Sequence, residues 1–293
     1  MISISPRSTY LTLCGRSVHL LDWGREDAPA VILWHGLNRN ARDFDDLAAA
    51  LSPRYRLLAP DTIGRGLSEW SPKPDEEYTV PFYVRQAVEL LEQLKLDRVR
   101  WVGTSMGGLI GMAAAGTVLK DRISHLVLND VGPAIAPEAV QRILQYAGNP
   151  PVFATVPEAE QYFRTIYAAF GVASDAGWRK LVETSLRRLP DGRLTPHTDP
   201  EVAGVLARQV AAQADRVKAG SDAPTDAWPL YDQIAARTLL IRGAVSDLLT
   251  DETATGMTRR GPKARRVDIP GLGHAPALDT PEQIALVAEF LAA

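Results

Sequence analysis

Gly103-Thr104-Ser105-Met106-Gly107 sets a serine between two glycines. Such a serine can act as a nucleophile if the chain turns sharply beneath it. An apolar run, Val99–Gly103, precedes it, and a stretch rich in alanine and glycine follows. A strand running into a helix places the hydroxyl on a tight turn with strained backbone angles. Flanking glycines let neighbouring segments close in on that turn. The helix starting there points its first N–H groups and the positive end of its dipole at the same spot. The glycines do not form G-x-G-x-x-G, and no G-x-x-x-x-G-K-[ST] occurs, so neither a dinucleotide site nor a phosphate loop is expected.

A serine hydroxyl needs a base to take its proton. The chain has five histidines: His19, His35, His125, His197 and His274. His274 follows the last predicted strand, in Gly271-Leu-Gly273-His274-Ala-Pro276, where glycines let the ring swing toward the serine. The other four fall in a hairpin, a loop, a strand and a helical block, and are expected to be structural. A serine presented this way is followed in the chain by its acid and then its base. Asp247, in Gly243-Ala-Val-Ser-Asp247-Leu, follows the strand 238–242 and is the expected acid that holds the histidine tautomer. Asp130, at the end of the strand 123–129, is the alternative, with a strand-end turn as its plainer role. The developing oxyanion needs donors, and the backbone N–H groups of Leu37 and Met106 are the expected pair. His35 and Gly36, which precede Leu37, together with Arg39 and Tyr167, are the candidate substrate contacts. For His35 a loop-bracing hydrogen bond is the preferred role. Arg39 could hold a substrate carboxylate, although a salt bridge is the commoner fate of such a residue.

These residues must be positioned by a sheet. Segments 10–13 and 18–21 read as a hairpin. The runs 30–34, 54–59, 99–103, 123–129, 238–242 and 264–269 read as further strands, the first of them buried on both faces. Helical spacing marks 44–51, 80–94, the stretch after Ser105, and 281–291, the last with Thr280 as its N-cap and Pro281 in its first turn. Alternating strands and helices predict a mostly parallel eight-stranded sheet flanked by helices. Between residues 134 and 228 the alternation stops, with helical stretches and no clear strand. That block is expected to be an inserted helical cap on a core made of 1–133 and 229–293. Its aromatic residues are Tyr146, Phe153, Tyr162, Phe163, Tyr167, Phe170 and Trp178. They could line an apolar lid over the substrate or form the block's own core.

His35-Gly36, Asp61-x-x-Gly64-x-Gly66-x-Ser68, Gly103-x-Ser105-x-Gly107-Gly108, Ser246-Asp247 and Gly273-His274, in this order across nearly the whole chain, resemble the α/β-hydrolase superfamily. The nearest resemblance is to its capped esterases, enol-lactonases and carbon–carbon-bond hydrolases. It implies a serine hydrolase cleaving a carboxylic ester or lactone of a small, largely apolar substrate through an acyl-serine. A carbon–carbon-bond hydrolase of a dicarbonyl compound, a cofactor-free perhydrolase and a non-catalytic ligand receptor are the alternatives. Dehalogenases and epoxide hydrolases of this superfamily carry aspartate where Ser105 stands. Some members place their acid where Asp130 stands.

Composition sets the remaining bounds. The chain has 293 residues, 46% hydrophobic and 23% charged, with a net charge of -3 and a pI near 6.0. Nothing in that balance attracts nucleic acid or an anionic membrane. The local basic run 259–266 is expected to be a solvated connection. Cys14, the single cysteine, cannot form an internal disulfide and sits in a turn. The apolar stretch Trp101–Val118 holds five glycines and reads as strand, turn and helix rather than a membrane span. The N-terminus lacks the pattern of a signal peptide, so a cytoplasmic location is expected. No metal-ligand cluster or cofactor motif is seen, and the expected partner is a small ester or lactone.

Overall fold

The computed structural model describes residues 5–147, 150–218 and 226–293, with side chains described for 5–145, 150–215 and 226–293. In chain order the elements are β1 (Arg7–Leu13), β2 (Arg16–Trp23), β3 (Ala30–Trp34), α1 (Asp45–Leu51), β4 (Arg56–Pro60), α2 (Pro74–Glu77), α3 (Val80–Gln93), β5 (Val99–Thr104), α4 (Met106–Ala115), β6 (Ile123–Asn129), α5 (Pro137–Ala147), α6 (Val156–Ile166), α7 (Asp175–Ser185), β7 (Leu186–Arg188), β8 (Leu194–Pro196), α8 (Glu201–Lys218), α9 (Trp228–Tyr231), β9 (Arg237–Gly243), α10 (Asp251–Met257), β10 (Arg265–Ile269) and α11 (Pro281–Ala292). Short 3-10 turns cover Ala41–Phe44 and Ala168–Phe170.

Eight strands form one sheet in the order β1-β2-β4-β3-β5-β6-β9-β10. β1, β2 and β4 pair antiparallel; all pairs from β4 to β10 are parallel. The expected eight-stranded, mostly parallel sheet is therefore the one observed. The central strands are continuous apolar runs because both faces are covered: every residue of β3 and β4 is buried. One apolar cluster fills the α3/α4 face and another the α1/α11 face. From β3 the chain steps to β4 on one side and then crosses back to β5 on the other. The loops leaving β3 and β5 diverge at this switch point and open a crevice at the carboxyl ends of the strands.

Boundaries moved where turns were tighter or ladders longer than the apolar pattern. The first hairpin extends to 7–13 and 16–23, joined by Cys14 and Gly15, both at positive φ, as a two-residue hairpin turn requires. The stretch between β6 and β9 holds α5 to α8 and, against expectation, a small β7/β8 hairpin. Those strands have three residues each, too short for an alternating pattern to register. The stretch between β6 and β9 has its own apolar cluster, including Phe153, Phe163, Trp178 and Val182. Stretch 101–118 is strand, turn and helix, and among the described residues no helix is long and apolar enough to cross a membrane. Arginines of the run 259–266 pair with Asp232, Glu289, Asp251 and Asp268 on the surface.

Candidate active site

β5 ends at Thr104, and Ser105 is the N-cap of α4 with φ 52° and ψ −116°. A non-glycine residue at this φ is strained, and the surroundings hold it there. Ser105 N–H donates to Asn129 O (2.9 Å), while Ser105 O accepts from Gly108 N (2.8 Å) and Leu109 N (3.0 Å). Two glycines make the turn possible. A Cβ on Gly107 would lie 1.9 Å from Trp34 O, and one on Gly103 would lie 2.3 Å from Gly107 O. α4 is thus pressed against the ends of β3 and β5, and only glycine fits at those crossings.

His274 Nε2 lies 2.9 Å from Ser105 Oγ, and its Nδ1 lies 2.7 Å from Asp130 Oδ2. A carboxylate only accepts, so Nδ1 carries the proton and Nε2 is left to accept from the serine hydroxyl. Asp130 is fully buried. Its Oδ1 accepts from Gly243 N (2.8 Å) and its Oδ2 also accepts from Ser246 Oγ (2.6 Å). The residue sits at φ 54°, a conformation aspartate tolerates better than most residues. Its own N–H donates to Ile241 O at 2.7 Å.

Asp247, the expected acid, is elsewhere. Its carboxylate forms a two-bond ion pair with Arg142 of α5 (2.7 and 2.8 Å), and its side chain is 51% exposed. Burial works against its charge, but Arg142 holds its carboxyl below the usual range. The correction has a physical reason. The chain turns after β9 so that Ser246, not Asp247, faces inward, and the inward place beside His274 is filled from β6. Asn129 reinforces the arrangement by donating to Thr104 Oγ1 (3.0 Å) and to Pro276 O in the histidine loop (2.8 Å). From sequence, Ser246 stood only as part of the Ser246-Asp247 pair, with no role of its own, and Asn129 was not singled out. The signal was an Asn-Asp pair at the end of the strand next to the nucleophile strand.

Gly36 and Leu37 lie over the serine. A Cβ on Gly36 would stand 3.7 Å from Ser105 Cβ. Neither Leu37 N–H nor Met106 N–H donates to a protein acceptor among the described residues; Met106 opens α4, where no intrahelical partner exists. Arg65 Nε donates to Leu37 O at 2.8 Å and steadies this loop. His35 is a brace, not a substrate contact. It lies at neither cavity wall; its Nδ1 donates to Gly36 O (2.7 Å), and its Nε2 accepts from Thr62 N (2.9 Å). Burial pushes its pKa down to about 4, so the ring is neutral.

Ser105 opens onto two cavities. One, of about 90 Å³, is lined by His274, Gly36, Arg39, Tyr167, Phe170 and charged residues at its mouth. The other, of about 180 Å³, lies on the Met106 side beneath α5 and α8 and is not lined by His274. Arg39 lines the first cavity and is ion-paired there. It pairs with Asp43 through Nε (2.9 Å) and Nη2 (2.5 Å), and its Nη1 donates to Ser185 Oγ (2.8 Å). Its guanidinium also lies 5.2 Å from the Tyr167 ring centre. Among the aromatic residues between β6 and β9, Phe153, Phe163, Tyr167 and Trp178 belong to one apolar cluster, with Tyr162 and Phe170 packed against it; Tyr167 and Phe170, stacked 4.6 Å apart, also line the cavity. The side chain of Tyr146 lies outside the described residues. The turn carrying Phe170 is tied to the histidine loop by Gly273 N to Ala169 O (3.0 Å) and Ala277 N to Phe170 O (3.1 Å). Among the described residues no three His, Cys, Asp or Glu side chains converge as a metal site.

Residues 31–286 match the alpha/beta hydrolase family. The chain is 42% identical over 273 residues to the 3-hydroxybutyrate-oligomer hydrolase of Cupriavidus necator, which covers 92% of this chain and 90% of that one. Among solved structures it is similar to an alpha/beta hydrolase from Novosphingobium aromaticivorans, with a TM-score of 0.84, 32% identity and 99% of each chain covered. It shares its fold with E-2-(acetamidomethylene)succinate hydrolase, with a TM-score of 0.84, 23% identity, and 98% of this chain and 100% of that one covered. A match along most of the chain and a relative of that identity lead to one conclusion: the protein belongs to the alpha/beta hydrolase family.

Proposed function

We propose that the protein hydrolyses esters of short hydroxy acids through an acyl-serine intermediate. The observation that carries this reading is the hydrogen-bond chain Asp130–His274–Ser105, set beneath the unbonded N–H groups of Leu37 and Met106. Likeness to a 3-hydroxybutyrate-oligomer hydrolase supports the substrate class.

In this mechanism His274 Nε2 takes the Ser105 proton as Oγ attacks the ester carbonyl. Asp130 fixes the imidazole tautomer and stabilises the imidazolium. Charge gathering on the carbonyl oxygen meets the Leu37 and Met106 N–H groups, each contributing about 2.7–4 kcal/mol to the transition state. His274 then returns the proton to the departing alcohol oxygen. A water, deprotonated by the same ring, attacks the acyl-serine, which releases the acid and restores the hydroxyl. The insertion serves as a cap, bringing Tyr167 and Phe170 to the cavity and excluding water from the serine.

The test sets wild type beside Ser105→Ala on p-nitrophenyl butyrate and on the linear dimer of 3-hydroxybutyrate. Wild type is expected to cleave both, and the variant to lose about 10⁴-fold or more in kcat. Full activity in Ser105→Ala would sink the acyl-serine reading. Cleavage of the p-nitrophenyl ester alone would remove the hydroxy-acid assignment.

A further inference from the structure

The 180 Å³ cavity contains an unusual wall. Most of it is apolar, including Leu109, Ile135, Ile143, Val202 and Leu206, but besides Tyr78 and the exposed Gln209 it is also lined by Arg65 and Tyr83. Both are almost wholly buried. Arg65 makes no ion pair among the described residues. Its Nε donates to Leu37 O, and its Nη1 donates to Ile63 O and Tyr83 Oη, both at 2.8 Å. The rings of Tyr78 and Tyr83 lie 5.6 and 5.5 Å from the guanidinium carbon. These dipoles and ring faces disperse the charge. Nη2, however, meets only the thioether of Met106 at 3.4 Å, a weak acceptor. Tyr83 Oη accepts from Arg65, and its own proton has no acceptor among the described residues. Burial raises the Tyr83 pKa, so that proton stays on the phenol at neutral pH. In this mostly apolar chamber one buried donor, Arg65 Nη2, thus has only a thioether to donate to, and another, the Tyr83 hydroxyl proton, has no acceptor among the described residues, which is costly unless something else supplies a better one.

The chemistry at Ser105 says which half of the substrate enters this chamber. His274 must protonate the departing alcohol, so the alcohol half lies on the His274 side, in the smaller cavity. The acyl half extends the other way, past Met106. A cavity of about 150 Å³ takes a benzene, so the larger chamber suits an acyl chain of roughly four to six carbons.

We propose that this chamber is the acyl subsite and that Arg65 and Tyr83 select acyl groups carrying an oxygen on the chain, as a 3-hydroxyacyl group does. The proposal rests on the hydrolase reading above and specifies which half of the substrate is recognised. An acyl oxygen receives donors from Arg65 Nη2 or Tyr83 Oη, whereas a plain alkyl chain leaves them unpaired. A site built to hydrogen-bond a substrate group discriminates strongly against the analogue that lacks it.

The experiment compares kcat/KM for p-nitrophenyl 3-hydroxybutyrate and p-nitrophenyl butyrate. Hydrolysis of the butyrate ester, and its loss in Ser105→Ala, reads the underlying hydrolase assignment. The ratio of the two esters reads this inference. Wild type is expected to favour the hydroxylated ester by about tenfold or more. Tyr83→Phe and Arg65→Lys are each expected to pull the ratio toward one. Arg65→Lys also lowers both rates, because it releases Leu37 O. A wild-type ratio near one overturns the proposal, even if neither variant folds. So does a preference retained in both variants while both rates fall together, which would make Arg65 and Tyr83 braces of the loop alone.

Discussion

Replacing Asp130 with asparagine preserves the shape of the side chain and reverses half of its hydrogen bonding. The carboxylate receives three donors: His274 Nδ1 at 2.7 Å, Ser246 Oγ at 2.6 Å and Gly243 N at 2.8 Å. An amide has one oxygen for these three, and its NH₂ must face at least one of them. If the NH₂ faces His274, the ring moves its proton to Nε2 and can no longer accept from Ser105. If it faces Gly243, two donors confront each other in a buried site. A tautomer fault of the first kind costs a serine triad ~10⁴-fold in kcat, or about 5.4 kcal/mol of transition-state stabilisation. Asp247→Asn breaks an ion pair whose side chains are 42% and 51% exposed and removes a charge that interacts weakly with His274. Such pairs contribute about 0–1 kcal/mol, so kcat is expected to stay within about fivefold of wild type. Initial rates on p-nitrophenyl butyrate, with urea denaturation of each variant to show that it is folded, separate the two acids. A loss above a hundredfold in Asp247→Asn, with Asp130→Asn within tenfold, would refute the assignment of Asp130.

Three further outcomes follow from the same geometry. Ser246→Ala removes a donor to the buried acid, so kcat is expected to fall about tenfold with KM unchanged; a fall below twofold in steady-state kinetics would count against a positioning role. Gly107→Ala places a methyl 1.9 Å from Trp34 O and is expected to cost about 3 kcal/mol or more in urea denaturation; near-wild-type stability would contradict the close crossing. The pKa of His35 is pushed by burial to about 4, against 6.5 for the ordinary ring, so the unfolded chain binds its proton first as pH falls. Stability therefore declines between those values, by about 2 kcal/mol from pH 7.5 to pH 5 for this group alone. Wild type and His35→Gln denatured at both pH values should differ in that decline, and equal declines would remove His35 as its source.

The sheet, the turn at Ser105 and the place of His274 were legible because each leaves a local signature: buried strands read as apolar runs, and the turn needs glycines on both sides of one serine. The proposed acid was not, because its choice depends on which of two strand-end aspartates points inward. At β9 a difference of one residue decides it. Ser246 turns in and meets Asp130, while Asp247 turns out to Arg142. Sequence order alone favoured the residue after β9, yet the structure fills the position from β6. The salt bridge of Arg39, the commoner fate of such a residue, was legible only in part. Arg39's partners, Asp43 and Ser185, come from its own turn and from a helix almost 150 residues away, and only folding brings the second within reach. The same distance hid the lining roles of Arg65 and Tyr83: Arg65 fills an unspecified position of the Gly64-x-Gly66 motif, and the helical spacing of 80–94 does not say what Tyr83 faces.

An acid at the end of β6 has a mechanical consequence that one after β9 would lack. β6 lies between β5, which delivers Ser105, and β9. Asp130 reaches sideways to Gly243 and Ser246 at the end of β9, while its own N–H is held by Ile241 O. The neighbouring residue, Asn129, accepts the Ser105 N–H through its backbone and donates to Pro276 O in the histidine loop. Two consecutive residues therefore bind the nucleophile turn, the histidine loop and the next strand together. The distances from Asp130 to His274 and from His274 to Ser105 depend on the spacing of three adjacent strands, which is among the stiffest features of a buried parallel sheet. Asp247, one residue beyond Ser246, pairs instead with Arg142 of α5.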